Sequence, residues 1–428
     1  MRENAAGGSV RRAAHPESPA DGPSALAVRR PVADVVVVGG GIIGLAIARA
    51  FRQRHSDLSI TVLEKEVDCG AHASGRNSGV LHAGFYYTAD SLKARFTRDG
   101  NREMTAFCDE RGLRIRKCGK LVVARNEGDL AGLDELLRRG RVNGVDVQSV
   151  TAAEAHEIEP RALIAERALW SPATAVVDPR EVVAALRREL EGAGVRVLTG
   201  TAFQAPGRDR VRTSAGDVVA GYVINAAGLQ ADRVAHAYGF GERYRILPFK
   251  GLYLYAAEGS APFRTHIYPV PNLDDPFLGV HFTLTVSGRA KIGPTAIPAF
   301  WREHYGGLAG FRLGEFLEVT TRELGLLARD DFKFRKLAVA EIRKYRRSTI
   351  VRHAAELASG VRPEDYRTWG PPGIRAQLLD ITTRKLEMDF RFEGDDRSFH
   401  VLNAVSPAFT CALPFARHVV EQIETVVG

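Results

Sequence analysis

The chain has 428 residues, 45% of them hydrophobic and 26% charged, with a formal net charge of +8. That length exceeds one ordinary hydrophobic core and calls for two lobes, with the composition of a soluble globular protein. No apolar run is long enough to span a bilayer, and no base-stacking aromatic motif accompanies the positive charge, which argues against nucleic acid as a partner.

Residues 1–33 read as a disordered N-terminal tail, rich in Ala, Gly, Pro and Ser and without apolar periodicity. The first ordered element is the four-valine strand that follows Asp34. It runs into Gly39-x-Gly41-x-x-Gly44, and the periodic run Leu45 to Phe51 continues as a helix. Such a turn lets a pyrophosphate touch backbone N–H groups at the positive end of the helix. The next strand, Ile60-Thr61-Val62-Leu63, ends at Glu64, twenty residues after Gly44. An acid there accepts hydrogen bonds from ribose hydroxyls. A glycine turn in this context, answered by Glu64, marks an adenine-dinucleotide site.

The loop Gly75-Arg76-Asn77-Ser78-Gly79-Val80-Leu81-His82-Ala83-Gly84 mixes small residues with hydrogen-bond donors. A flavin ring needs many donors to its carbonyls, and backbone supplies them only where side chains are small, so the loop favours flavin over nicotinamide. A helix is expected over 91–112, a strand over 120–124 and a charged helix over 127–142. Glu154 to Pro160 shows no clear period and reads as turns. A helix over 181–191 and a strand over 195–199 restore a β–α–β rhythm, and strand 217–224 ends at Asn225-Ala226-Ala227-Gly228, a second small-residue turn where a cofactor can approach backbone. From about residue 236 long alternating runs appear (249–255, 265–270, 280–286), the mark of antiparallel strands with one buried face. Helices follow near 313–327 and 335–357, and a final helix from about Thr410 to Val427 starts near Ser406-Pro407. The four cysteines, Cys69, Cys108, Cys118 and Cys411, show neither metal spacing nor a disulfide framework and read as reduced cytoplasmic thiols.

Several residues could carry chemistry. His82 closes the glycine-rich loop and is either structural or a base. In 280–286, alternation puts His281, Thr283 and Thr285 on one face, which meets solvent or roofs a cavity. Lys250 stands in an apolar row with Leu252 and Leu254, as an edge-strand guard or a buried cation with a task. Arg375, after a Pro-Pro-Gly turn, suits bidentate carboxylate capture or a surface salt bridge. Between Lys333 and Arg352 eight Lys/Arg face one acid, Glu341, either as a solvated helix face or as a surface for anionic lipid.

These motifs together resemble a known family. Gly39-x-Gly41-x-x-Gly44 with Glu64, the loop Ser74 to Gly84 followed by Tyr86-Tyr87, and Asn225-Ala-Ala-Gly228 resemble FAD oxidoreductases of the D-amino-acid-oxidase-like type. Phe249-Lys250-Gly251, Ile267-Tyr-Pro-Val-Pro271, Pro276 to Thr283, Gly293-Pro294, Gly373-Ile-Arg-Ala-Gln377 and Asn403-x-x-Ser-Pro407 are similar to the L-2-hydroxyglutarate dehydrogenase/oxidase family. The resemblance implies an α/β fold: a Rossmann-like, glutathione-reductase-type FAD-binding domain (34–90, 176–235 and 367–428) with an inserted antiparallel-sheet substrate domain (91–175 and 236–366). It implies FAD held by Gly39, Gly41, Ile43, Gly44, Glu64, Lys65, Arg76, Asn77, Ser78, Val197, Ala227, Gly228, Arg375 and Ser406. It implies oxidation of a small dicarboxylate 2-hydroxy acid, L-2-hydroxyglutarate, by hydride transfer from Cα. Arg375 and Lys250 are then expected to hold carboxylate with help from Tyr87, and His82 or His281 to act as base. The sequence departs from the family pattern at Leu252, Ser287 and Phe409.

The electron acceptor stays open between oxygen, a quinone and an electron-transfer protein, and peripheral contact at the inner membrane surface would suit a quinone. Two rivals stand beside the hydroxy-acid reading. One is an oxidase of another 2-hydroxy acid, an amino acid or a secondary amine. The other is a flavin-retaining protein without turnover that serves as an assembly or membrane partner.

Overall fold

The computed structural model describes residues 32–272, 278–331 and 334–428, with only the backbone of Leu337. The expected tail up to residue 31, Pro276 and Phe277 of one family motif, and Lys333 of the basic run lie outside the described residues.

The first domain is built on an eight-stranded sheet. The strand Val32–Val38 lies between two parallel neighbours, Ile60–Leu63 and Gly216–Asn225. Arg196–Leu198 extends the parallel part on one side and Ser398–Asn403 on the other. Parallel strands are covered on both faces, and Val36 and Val37 are fully buried. The helix Ile42–Arg54 is apolar almost all round, because it lies inside a layer. The C-terminal helix Ala408–Val427 joins the same core through Cys411, Ala412, Phe415, Ala416 and Val419. So does the helix Leu92–Glu110, through Phe96, Met104, Phe107 and Cys108. This helix, within a stretch expected of the substrate lobe, therefore packs on the first domain.

The second lobe carries an eight-stranded sheet of order 368–369, 254–255, 290–293, 281–284, 266–269, 120–123, 167–171 and 148–151. It is antiparallel except for one pair: His266–Pro269 runs parallel to Lys120–Val123. The expected antiparallel lobe is thus present, with this one parallel pair added where strands distant in sequence meet side by side. A four-stranded sheet, with Tyr244–Gly251 paired to Gly373–Asp380, joins the two lobes.

Three local expectations change. The passage from Glu154 is a helix, Ala152–Ile158, started by a Thr151–Glu154 capping box that the period count does not see. The helix expected over 335–357 is two helices, Phe334–Arg343 and Arg347–Ala355. Between them Lys344, Tyr345 and Arg346 donate to carbonyls three residues back, and this tighter winding ends the first helix. The polar face of the strand His281–Leu284 is not in solvent: His281 and Thr283 are buried because both faces of this sheet are covered.

One ion pair pins the lobes together. Arg302 donates through Nη1 to Asp232 Oδ1 (2.6 Å) and through Nη2 to Asp232 Oδ2 (2.8 Å), and both side chains are buried. Asp232 also accepts the backbone N–H of Ile246, and Arg302 reaches the carbonyl of Leu229. Removing one member leaves a buried charge. Arg302→Met is expected to lower stability by about 3–5 kcal/mol, read as a lower denaturant midpoint of the FAD-loaded protein. A loss below about 1 kcal/mol would count against this role.

Candidate active site

An elongated cavity of about 360 Å³ opens where the parallel strands end. Val38, Leu63 and Ala226 mark the carboxyl ends of three of them in its wall. In an open α/β sheet this is where a ligand binds. The wall runs from Thr201–Phe203 past the glycine turn to His82, Arg375 and the start of the C-terminal helix.

At the nucleotide end, missing side chains make the space. Gly39 has φ +114°, and a Cβ on it would lie 2.4 Å from the carbonyl oxygen of Ala226. A Cβ on Gly41 would meet Ser74 Oγ at 2.9 Å. Gly44 is not in the wall; a Cβ there would lie 2.0 Å from Gly39 O, so this glycine lets helix pack on turn. Glu64 is held by two backbone donors, Gly40 N on Oε2 and Glu66 N on Oε1, both at 2.9 Å. Ile43, Lys65, Arg76, Asn77, Ser78, Ala227, Gly228 and Ser406 all line the cavity. Asn77 and Arg76 spend their side chains folding the loop: Asn77 accepts from Gly79 N and donates to Ser74 O, and Arg76 donates to Ala71 O. Val197, like Gly44, is not in the wall. Strand pairing with Val62 turns it onto the domain core, and Thr201, Ala202 and Phe203 face the cavity instead.

At the other end the candidate catalytic residues separate. His82 lines the cavity; its backbone N–H donates to Thr410 Oγ1 (3.2 Å), which ties the loop to the C-terminal helix. His281 does not reach the wall. It stacks on Tyr268 with centroids 3.8 Å apart, and its Nδ1 bonds the carbonyl of Gly279 (2.8 Å). Burial first, and then the nearby cations, lower its pKa to about 3 against the opposing pull of this bond. Arg375 lines the cavity opposite Phe249, its cross-strand partner. Lys250, one residue on, points to the other side of the strand, where its charge acts on His304. Lys250 does not line the cavity, whereas both of its neighbours, Phe249 and Gly251, do. Tyr87 stands outside the wall but close enough to feel the Arg375 charge.

Sequence reasoning missed three residues here. Tyr253 lines the cavity beside Arg375, and burial raises its phenol pKa. It was hidden in the run 249–255, which breaks into two strands, Tyr244–Gly251 and Leu254–Tyr255. Lys291 donates to the carbonyl of Ser78 (3.0 Å), and burial lowers its pKa to about 8. Lys120 is enclosed by aromatic rings behind the His82 loop. A charged residue in an otherwise apolar strand was the available signal for both lysines.

The residues fit FAD. The two small-residue turns leave room only for a ligand that lies against backbone, and the twenty-residue C-terminal helix directs its positive end at the cavity through Pro407–Thr410. The comparisons agree. The sequence profile of the family described as FAD dependent oxidoreductase matches residues 34–422. L-2-hydroxyglutarate dehydrogenase of Escherichia coli (strain K12) is 33% identical, over 92% of this chain and 94% of that protein. The mitochondrial L-2-hydroxyglutarate dehydrogenase of Homo sapiens is 34% identical, over 91% and 88%. The chain belongs to the L-2-hydroxyglutarate dehydrogenase family of FAD-dependent oxidoreductases. Among solved structures, L-alpha-glycerophosphate oxidase from Mycoplasma pneumoniae with FAD bound superposes with a TM-score of 0.73 at 20% identity, over 92% of this chain and 95% of that one. Glycine oxidase from Geobacillus kaustophilus gives 0.66 at 20% identity, over 92% and 95%. These two show a shared fold.

Gly44→Ala tests the cradle. The added methyl forces the helix off the turn, and FAD affinity is expected to fall by at least about tenfold, or about 1.4 kcal/mol. Titration of the apoprotein with FAD, followed by flavin fluorescence, reads the change.

Proposed function

We propose that the protein oxidises L-2-hydroxyglutarate to 2-oxoglutarate. The observation that carries this reading is the sign of the charge at the reactive end. Arg375 lines it beside the uncharged His82, and Lys291 and Lys120 stand behind, whereas the two acids of the cavity wall, Glu64 and Glu303, belong to the nucleotide end. A guest with a secondary alcohol and two carboxylates complements that arrangement.

FAD, when bound, supplies a two-electron oxidant for the Cα hydrogen. The protein's part is to hold the guest and take its proton. Arg375 holds a carboxylate through charge-assisted bonds, and Tyr253, kept protonated by burial, donates beside it. His82 accepts the hydroxyl proton. Burial first, then the charges of Lys120 and His281, hold its pKa well below the usual imidazole range, so it is a neutral base at pH 7. The same depressed value predicts the pH profile. The rate of flavin reduction is flat through neutrality and falls only in acid, well below pH about 6.5.

Anaerobic mixing with L-2-hydroxyglutarate should bleach the flavin; persistent colour would sink the reading. His82→Gln is expected to slow bleaching by about 10²-fold or more, and His281→Gln by less than about threefold. Equal effects would reject His82 as the base. Faster bleaching by glutamate or sarcosine would favour an amine-oxidising relative.

A peripheral membrane contact also has an observation in its favour. Leu313, Leu317 and Leu324 on the helix Leu313–Arg329, and Val339 and Ile342 on the helix Phe334–Arg343, are exposed, and the second helix and the turn after it also expose Lys336, Arg343 and Arg346. Apolar side chains rimmed by cations suit an anionic lipid surface, where a quinone could take the electrons. The basic run is thus only partly a solvated face, since Lys344 is buried against Glu341. Among the described residues no helix is long and apolar enough to cross a membrane. Co-sedimentation is expected with phosphatidylglycerol vesicles and not with phosphatidylcholine alone, and Leu317→Glu with Ile342→Glu should abolish it. Equal recovery with both vesicle types would reject the contact.

A further inference from the structure

Lys120 is a buried cation without an acid. The side chain is fully enclosed, and among the described residues Nζ has no hydrogen-bond partner. Three rings surround it: Phe85 with its centroid at 4.6 Å, Tyr86 at 4.5 Å and Tyr268 at 4.9 Å. Ring faces offset part of the lost hydration of an ammonium, and they leave its positive field unneutralised. Gly119 makes this burial possible. It adopts φ +66°, and a Cβ there would strike the Trp170 ring at 1.9 Å, so only glycine lets the strand run close beneath that indole.

The box connects the parts of the reactive end. Phe85 and Tyr86 stack on each other at 4.6 Å and stand just past His82, after Ala83 and Gly84. Tyr268 stacks on His281 at 3.8 Å. The titratable groups that face this region come from every neighbouring element: His82, Tyr86 and Tyr87 from the loop, Cys118 before the strand, His266 and Tyr268, His281, and Lys291. The charges that act on His82, His266 and His281 are Lys120, Lys291, Lys344 and the other imidazoles, with no carboxylate among them.

We propose that Lys120 is a positioning residue for the reaction: a caged cation behind the His82 loop whose unanswered charge adds to burial in keeping the His82 imidazole unprotonated and ready to accept the hydroxyl proton. This rests on His82 being the base for 2-hydroxy-acid oxidation. The signs agree. Burial lowers the Lys120 pKa to about 7, so the ammonium is charged throughout the acid range in which an imidazole would take up its proton. Repulsion between the two then opposes the second positive charge.

The test is the pH dependence of anaerobic flavin reduction by L-2-hydroxyglutarate in the FAD-loaded parent, Lys120→Met and Lys120→Arg. The acid limb of Lys120→Met is expected to move up in pH, while burial of His82 still holds it below the ordinary imidazole range of about 6.5. On that limb this variant should be slowed at least about threefold relative to the parent, with equal rates at pH about 8. Lys120→Arg restores the charge and should restore the parent's acid limb. Coincident limbs for parent and Lys120→Met overturn the proposal. A uniform loss at every pH, not rescued by Lys120→Arg, shows a packing role and also overturns it. A parent that is not reduced at all rejects the proposed function instead, before Lys120 is at issue. Should Lys120→Met fail to retain FAD, the parent alone decides. NMR titration of His82 in the resting holoprotein must show a neutral imidazole at pH about 5.5, and a His82 that charges near 6.5 refutes the assignment.

Discussion

Backbone meets backbone at Gly39, and the rest of the molecule is arranged around that contact. The turn after the first strand passes so close to Ala226 on one side and to Gly44 on the other that no side chain fits in either gap. Three parallel strands end together beside this turn, and the cavity is the space beyond their ends. Glycine carries an entropic cost in the unfolded chain, and here the close approach it permits offsets that cost. The strands, the helix above the turn and the C-terminal helix all take their places from it.

The two ends of the cavity solve opposite electrostatic problems. At the nucleotide end Glu64 is fixed by two backbone donors, and Lys65 joins Glu303 (2.9 Å) from the second lobe. Charge there is paired. At the reactive end cations outnumber acids, and burial lowers the pKa of Lys291 to about 8 and of Lys120 to about 7. Buried charges of one sign are costly and persist where an anion answers them or a reaction uses them. On the proposed reading a dianionic hydroxy acid answers these charges and a neutral base works beside them.

The inserted lobe brings these groups together without contiguous sequence. Arg375 reaches the cavity because Gly373–Asp380 pairs with Tyr244–Gly251, a partner more than a hundred residues earlier in the chain. Lys120 faces the His82 loop because its strand lies parallel to His266–Pro269. Tyr253 reaches the wall because the run that contains it breaks before Leu254. The Arg302–Asp232 pair holds the lobes in that relation.

The sequence by itself determined the nucleotide fold and the cofactor. Glycine spacing, a buried valine strand and an acid at a fixed distance encode local geometry that tertiary context does not alter, so Gly39, Gly41, Gly44 and Glu64 were legible at once. The Thr151–Glu154 box was equally local and was missed because a capping signal has no periodicity. Only the tertiary structure decided the reactive end. Which face of a strand points inward depends on what covers the other face. That condition separated Arg375 from Lys250 and His82 from His281. It also placed Lys120 in a ring of aromatics drawn from residues 85 to 268.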